Sequence, residues 1–278
     1  MSTPDDTLTY VYAVAPLTTD LSDAATGLRG IYGSPVLLLT ARPDAAQPPL
    51  ALAAGHVPHR DFGEHGLKHH FEDLEWLESV ARAHHDVIQS LALHATVLPL
   101  RMATVYQDDD RARRALAEQH NVFADRLAQL ADHTEFGVKI YLDPTSAAPP
   151  ESGNAAGTAT PGKAYLQRRR AQHNAQEAVY SQAQKAAAAV DAIGSRYASQ
   201  RVRHPTQSGS LSGPAENVLN DAYLIPDAYA EPFRAAIAEA TGAFDGVRVE
   251  VTGPWAPYSF AMPPAEPRNA AAGEERAP

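Results

Sequence analysis

The sequence predicts an α+β protein of two domains, an N-terminal mixed α/β sheet domain and a C-terminal ferredoxin-like domain preceded by a long helix. Three observations carry that expectation. Over residues 1–142, short runs of β-branched and aromatic residues alternate with helical apolar stripes. The stretch Asp143 to Pro161, made of Pro, Ala, Gly, Ser and Thr, then interrupts the pattern with almost nothing to bury. Beyond it a long helix opens an α-β-β-α-β order, a ferredoxin-like sandwich lacking its first strand. The expected division is 1–142, a flexible linker at 143–161, 162–262 with an extended tail, and a disordered end at 263–278.

The first expected strand is Leu8 to Val14, rich in β-formers and closed by Ala15-Pro16. Val36 to Thr40 is nearly continuous in apolar residues and reads as a strand buried on both faces. Leu50 to Ala54 is a weaker strand signal after the prolines at 43, 48 and 49. A helix beginning near Glu64 includes Phe71 to Leu93, because Leu74, Leu77, Ala81, His84, Ile88 and Leu91 recur at helical spacing. Thr96 to Leu100 is a strand that Pro99 restricts to an edge or a bulge. Asp108-Asp-Asp110 caps the next helix, about 110–131, placing negative charge at its positive end. Phe136, Val138, Ile140 and Leu142 lie on one face of the strand expected to close the first domain.

After the linker, a helix from about Lys163 to Tyr197 carries Val179, Ala183, Ala186, Val190, Ile193 and Tyr197 at heptad-like steps. Strands near 200–206 and 218–225 flank a Gly/Ser turn. A helix over 228–241 and an alternating strand over 246–251 complete the domain. Pro254 and Pro257 then hold the stretch with Trp255, Tyr258 and Phe260 extended and outside any ladder. These three aromatic side chains are expected to clasp the tail onto the body.

Composition narrows the function. Hydrophobic residues make up 44% and charged residues 20%, ordinary for a folded globular chain. The absence of cysteine excludes disulfides, thiolate metal sites and cysteine nucleophiles, and fits a reducing cytoplasm. Met1 to Asp6 reads as no secretory signal, and no apolar run is long enough to span a bilayer. A formal net charge of −10 works against phosphate-backbone binding, leaving Arg168 to Arg170 as the solvated face of a helix rather than a nucleic-acid site.

Two patterns imitate chemistry. Gly157 to Lys163 matches G-x-x-x-x-G-K, but position 164 is Ala, Pro161 removes a backbone donor, and no strand leads into the loop. No nucleotide role is expected for Lys163. Among the 12 histidines, His65 and His69 stand at i, i+4 with His70 beside them, and His84 and His85 follow. A metal-dependent enzyme on a ferredoxin-like scaffold is the alternative this cluster raises. No third ligand of suitable geometry is evident, so neither a metal nor a cofactor is expected. No catalytic motif is present.

Several blocks carry a resemblance across nearly the whole chain. They are Tyr10 to Val14 with Leu28-Arg-Gly-Ile31; Leu74-Glu-Trp-Leu77 with Ala83-His84 and Val97-Leu-Pro-Leu-Arg-Met-Ala-Thr-Val105; Glu135 to Lys139; Pro161 to Leu166 with Leu224 to Pro226; and Val249 to Phe260. In this order they resemble the gas vesicle protein F/L family (GvpF/GvpL). Two departures stand out: Met102-Ala103 replaces the usual Phe-Gly, and residues 42–56 are proline-rich.

The resemblance implies a two-domain, non-enzymatic protein of gas vesicle assembly in the cytoplasm. Its implied partners are the main gas vesicle shell protein (GvpA) and other gas vesicle accessory proteins, with no nucleic acid and no membrane. It brings no catalytic residues. The structural or partner-binding candidates in its blocks are Trp76, His84, Arg101, Trp255, Tyr258 and Phe260. Arg101, following an apolar strand, is expected to be partly buried and to need an acidic partner.

Overall fold

The computed structural model describes residues 7–41, 48–142, 161–206, 215–242 and 244–261, without the side chains of 161–164 and 168. Residues 143–160 of the linker expected at 143–161, the end at 263–278, the turn near 208–213 and the Lys163 side chain lie outside the described residues. Two antiparallel sheets with flanking helices make up the mixed α/β architecture.

The first sheet has the order β2-β3-β1-β4, with β5 also on β1. Its strands are β1 (Thr7–Pro16), β2 (Leu37–Thr40), β3 (Leu50–Pro58), β4 (Leu98–Pro99) and β5 (Val105–Tyr106). The two signals in the proline-rich region exchange ranks. β2, expected to be buried on both faces, is the edge strand, whereas β3 is longer and almost wholly buried. Pro99 does sit at the opposite edge, where its missing N–H breaks no ladder. The β1–β3 register shifts between Val11 and Ala13. That irregularity lets Tyr10, Tyr12, Ala13 and Ala15 enter one core while Val11 and Val14 enter another.

Helices cover this sheet on both faces. α1 (Thr19–Ala25), α2 (His59–Phe62), α3 (Glu64–His70) and α4 (Leu74–Ala92) surround the first core. The single helix expected from Glu64 is broken at 71–73, because Asp73 accepts the Trp76 N–H at 3.0 Å and starts α4 afresh. Its buried stripe is Val80, His84, Val87, Ile88 and Leu91, while Leu74 is 78% exposed. α5 (Asp109–Glu118) and α6 (His120–Leu130) divide at Gln119, and Asp108 caps α5 through the Arg111 N–H at 2.7 Å.

The second sheet has the order β7-β8-β6-β9. Its elements are β6 (His133–Leu142), α7 (Pro161–Tyr197), β7 (Gln200–Arg203), β8 (Glu216–Pro226), α8 (Ala230–Thr241) and β9 (Val247–Trp255). This corrects one expectation: β6 does not close the first sheet but lies between β8 and β9. Phe136, Val138 and Ile140 on its apolar face pack against Ala186 and Val190 of α7 and Phe233 and Ile237 of α8. Alternation along a strand marks the buried face but does not name the sheet that supplies its neighbours. In α7, Gly194 leaves room for the Tyr223 ring; a Cβ there would come within 2.3 Å of it.

A further core joins the sheets. Val11, Val14, Leu39 and Leu52 of the first sheet meet Leu116 and Leu127 of α5 and α6, Ala222 and Leu224 of β8, and Phe260.

Candidate functional site

The family-like block Val97 to Val105 forms a turn pinned by a buried polar chain. The Leu100 N–H donates to Tyr12 O at 2.9 Å, and the Thr104 N–H closes the turn on Arg101 O at 3.1 Å. The Ala103 N–H donates to Tyr10 Oη at 3.0 Å, and Tyr10 Oη in turn lies 2.9 Å from His84 Nδ1. The His84 ring also bonds the Leu100 backbone, so the Tyr10 hydroxyl donates to a neutral imidazole. Burial lowers the His84 pKa to about 4, partly offset by the Leu100 bond. Burial also pushes the Tyr10 hydroxyl well above its usual range. His84 therefore positions the loop from the core as an uncharged residue.

The tail supplies the facing wall. β9 runs to Trp255, whose register partner is Glu135, so the ladder extends through the Gly-Pro-Trp stretch expected to lie outside it. Beyond it, Ala256 and Tyr258 pack on the first core while Phe260 and Ala261 enter the core shared by the sheets. Phe260 is 2% exposed and Trp255 37%. The Ala256 N–H donates to Gln89 Oε1 at 2.7 Å, and Tyr258 Oη lies 3.1 Å from His85 Nδ1.

Beneath the tail, buried Glu135 accepts from the Ser259 N–H at 2.8 Å and from Ser259 Oγ at 2.7 Å. With that hydroxyl proton committed, His204 Nε2, at 2.9 Å, donates to Ser259 Oγ. Burial raises the Glu135 pKa, and the two Ser259 bonds oppose the rise.

Between α4, the 99–102 turn and the tail lies a groove of about 390 Å³, lined by Ala81, His84, His85, Met102, Tyr258 and Ser259 among others. Arg101 is also on its wall but is solvent-exposed, contrary to the expected partial burial, so it needs no acidic partner. His84, Arg101 and Tyr258 thus come together, and Phe260 anchors the tail behind them. Trp255 lines a neighbouring groove beside Gln89. Trp76 stands apart, stacked on His70 at 4.4 Å and donating Nε1 to Tyr32 Oη at 2.6 Å.

Sequence reasoning missed Glu135, Ser259, Gln89 and His204. Glu135 lies opposite the apolar face of β6 and so reads as solvated; only the distant tail buries it. A local hint is Gly137 on the same face, where a Cβ would meet Thr252 Oγ1 at 2.7 Å. Among the described residues no three His, Asp or Glu side chains gather as metal ligands, and no helix is long and apolar enough to cross a membrane.

Comparisons with known proteins bear on the family and the fold. Residues 8–262 match the family model described as gas vesicle synthesis protein GvpL/GvpF. The chain is 40% identical over 259 residues to gas vesicle protein L of Streptomyces sp. (strain CB03234), covering 92% of this chain and 93% of that one. Its fold is similar to the crystal structure of GvpF from Microcystis aeruginosa, with a TM-score of 0.60 at 17% identity over 92% of this chain and 99% of that one. GvpF from Anabaena sp. PCC7120 gives 0.59 at 16% identity, covering 93% and 97%. The chain belongs to the gas vesicle synthesis protein GvpL/GvpF family.

Proposed function

We propose that this chain is a non-enzymatic accessory protein of gas vesicle assembly that acts in the cytoplasm and at the gas vesicle. In this reading it binds the main gas vesicle shell protein (GvpA), cooperates with other gas vesicle accessory proteins and supports vesicle nucleation or growth. A strongly apolar shell subunit needs a soluble partner that covers its surface until assembly, and such a partner needs an exposed apolar face rather than a reactive pocket.

The observation that carries the reading is the apolar strip leading into the groove. Leu74 is 78% exposed and Met102 39% exposed. Leu74 lies two helical turns from Ala81 on the same side of α4. Arg101 stands at the groove's edge as a polar register mark. A pull-down of the shell protein should weaken about tenfold or more in Leu74→Glu/Met102→Glu, since burying even one charge without a partner is costly. Val122→Glu, on the exposed side of α6 and away from the groove, should bind as the parent does. Equal capture by all three moves the docking surface elsewhere, and a parent that captures no shell protein ends the reading.

We further read residues 132–261 as a complete ferredoxin-like unit, with the domain boundary between α6 and β6. The β-α-β-β-α-β connectivity supports this. Hydrogen exchange should protect β6 together with β8 and β9; exchange of β6 with the first sheet's strands instead would refute it.

A further inference from the structure

The long helix α7 has two unlike halves. Among its described side chains the first that is buried is Ala183, and from there Ala186 and Val190 pack on the second sheet. Among the described side chains from Tyr165 to Gln182 none is buried, which leaves an arm of 18 residues, about 27 Å, outside the packed core. Its only hydrogen bond to the body among those the structure describes joins Tyr180 Oη to Glu216 Oε2 at 2.6 Å.

One stripe of this arm has an order of its own. Leu166, Arg170, His173, Glu177 and Tyr180 follow one another at steps of 4, 3, 4 and 3, so they share one side of the helix. Leu166 is 65% exposed and Tyr180 44%. The His173 and Glu177 side chains are each 69% exposed, and Arg170 is exposed as well. The stripe reads apolar, cation, histidine, anion, apolar. Such an order is complementary to its own reverse.

We propose that this arm is a self-association surface whose partner is the same arm of a second copy of the chain, paired antiparallel about a two-fold axis through His173. In that arrangement Arg170 of each copy faces Glu177 of the other, and Leu166 faces the Tyr180 ring. A parallel pairing would set Arg170 against Arg170 and Glu177 against Glu177, so charge selects the antiparallel one. The interface is isologous, so the assembly closes as a dimer instead of growing into a filament. The contact is small and largely polar, so it is salt-sensitive.

Sedimentation velocity of the full chain tests this. The parent should form a dimer in low salt that weakens about tenfold or more in high salt. Arg170→Glu and Glu177→Arg should each lower dimer affinity about tenfold or more, and their equimolar mixture should restore it, because each variant then meets the opposite charge. The chain has no cysteine, so His173→Cys introduces a single thiol at the axis. It should cross-link the dimer by oxidation, whereas Ala171→Cys, on the far side of the arm, should not. A parent that stays monomeric in low salt overturns the proposal. So does a dimer that both charge variants retain, or equal cross-linking at 171 and 173.

Discussion

His84 and Glu135 sit behind opposite walls of one groove, His84 behind the 100–104 turn and Glu135 behind the 256–261 tail. Both are buried, and both are satisfied by neutral partners: Tyr10 and the Leu100 backbone for the histidine, the Ser259 N–H and hydroxyl for the glutamate. Burial moves their pKa values in opposite directions. Asp221, equally buried in β8, is held differently, by ion pairs with Arg201 and Arg203. The difference teaches that the groove walls hang on hydrogen-bonded neutral partners, while a buried carboxylate on the helix-covered face of the second sheet is held by charge. The turn is held by Tyr10 of β1 and His84 of α4, the tail by Glu135 of β6 and by Gln89 and His85 of α4.

The most severe way to break this symmetry is Phe260→Ala. Phe260 is 2% exposed, and removing a buried phenyl ring should cost about 3–5 kcal/mol in chemical denaturation. Hydrogen exchange should rise over 256–261 while the Ala103 amide, bonded to Tyr10, keeps its protection. Equal loss on both walls would mean that the turn depends on the tail, and the comparison fails.

The pH responses sharpen it. The folded His84 pKa, about 4, lies below the usual 6.5. The unfolded chain therefore takes up the proton first as pH falls, and stability is lost between about 6.5 and 4. The loss is on the order of 3 kcal/mol. Glu135 has the reverse sign: its folded pKa is raised, so the native state holds the proton more tightly. Its burden is absent below the ordinary carboxylate pKa of 4.5 and complete above its raised value. His84→Gln should flatten the acid limb of stability measured by urea titration at several pH values. Glu135→Gln should gain on the parent as pH rises from 4 to 7. Parallel pH profiles for parent and both variants would show that neither group titrates as placed.

How legible this was depends on range. β1, the Asp108 cap, the Pro99 edge and the packed half of α7 follow from patterns within a few residues, and the sequence shows them. The Glu135–Ser259 bond spans 124 positions and leaves no periodic trace in either strand or tail. The same range effect put β6 in the wrong sheet, because its alternation is satisfied equally by either set of neighbours. Leu74 misled for a related reason. Its spacing fits the buried stripe of α4, yet it lies beyond the edge of the core, where helical periodicity continues but nothing packs against it. Of the groove residues, His84 stood out because a histidine on an apolar stripe must find a partner. The partner itself, Tyr10, was visible only as a β-former.

The smallest expected effect is a gain, and it isolates the turn wall. Ala103 has φ 62°, in the left-handed region, where an L-residue with a Cβ is strained by about 1–2 kcal/mol. In this conformation the Ala103 N–H donates to Tyr10 Oη, which in turn serves His84. Glycine adopts the same φ without strain but brings greater freedom to the unfolded chain, which offsets about 0.5–1 kcal/mol of the relief. Ala103→Gly should therefore raise stability by about 0.5–1 kcal/mol while leaving the acid limb set by His84 unchanged. The gain should also appear in Phe260→Ala, since the turn and the tail are held separately and distant effects add. A destabilised Ala103→Gly would mean that the alanine methyl packs usefully against the groove wall. A gain confined to the parent would tie the two walls together after all.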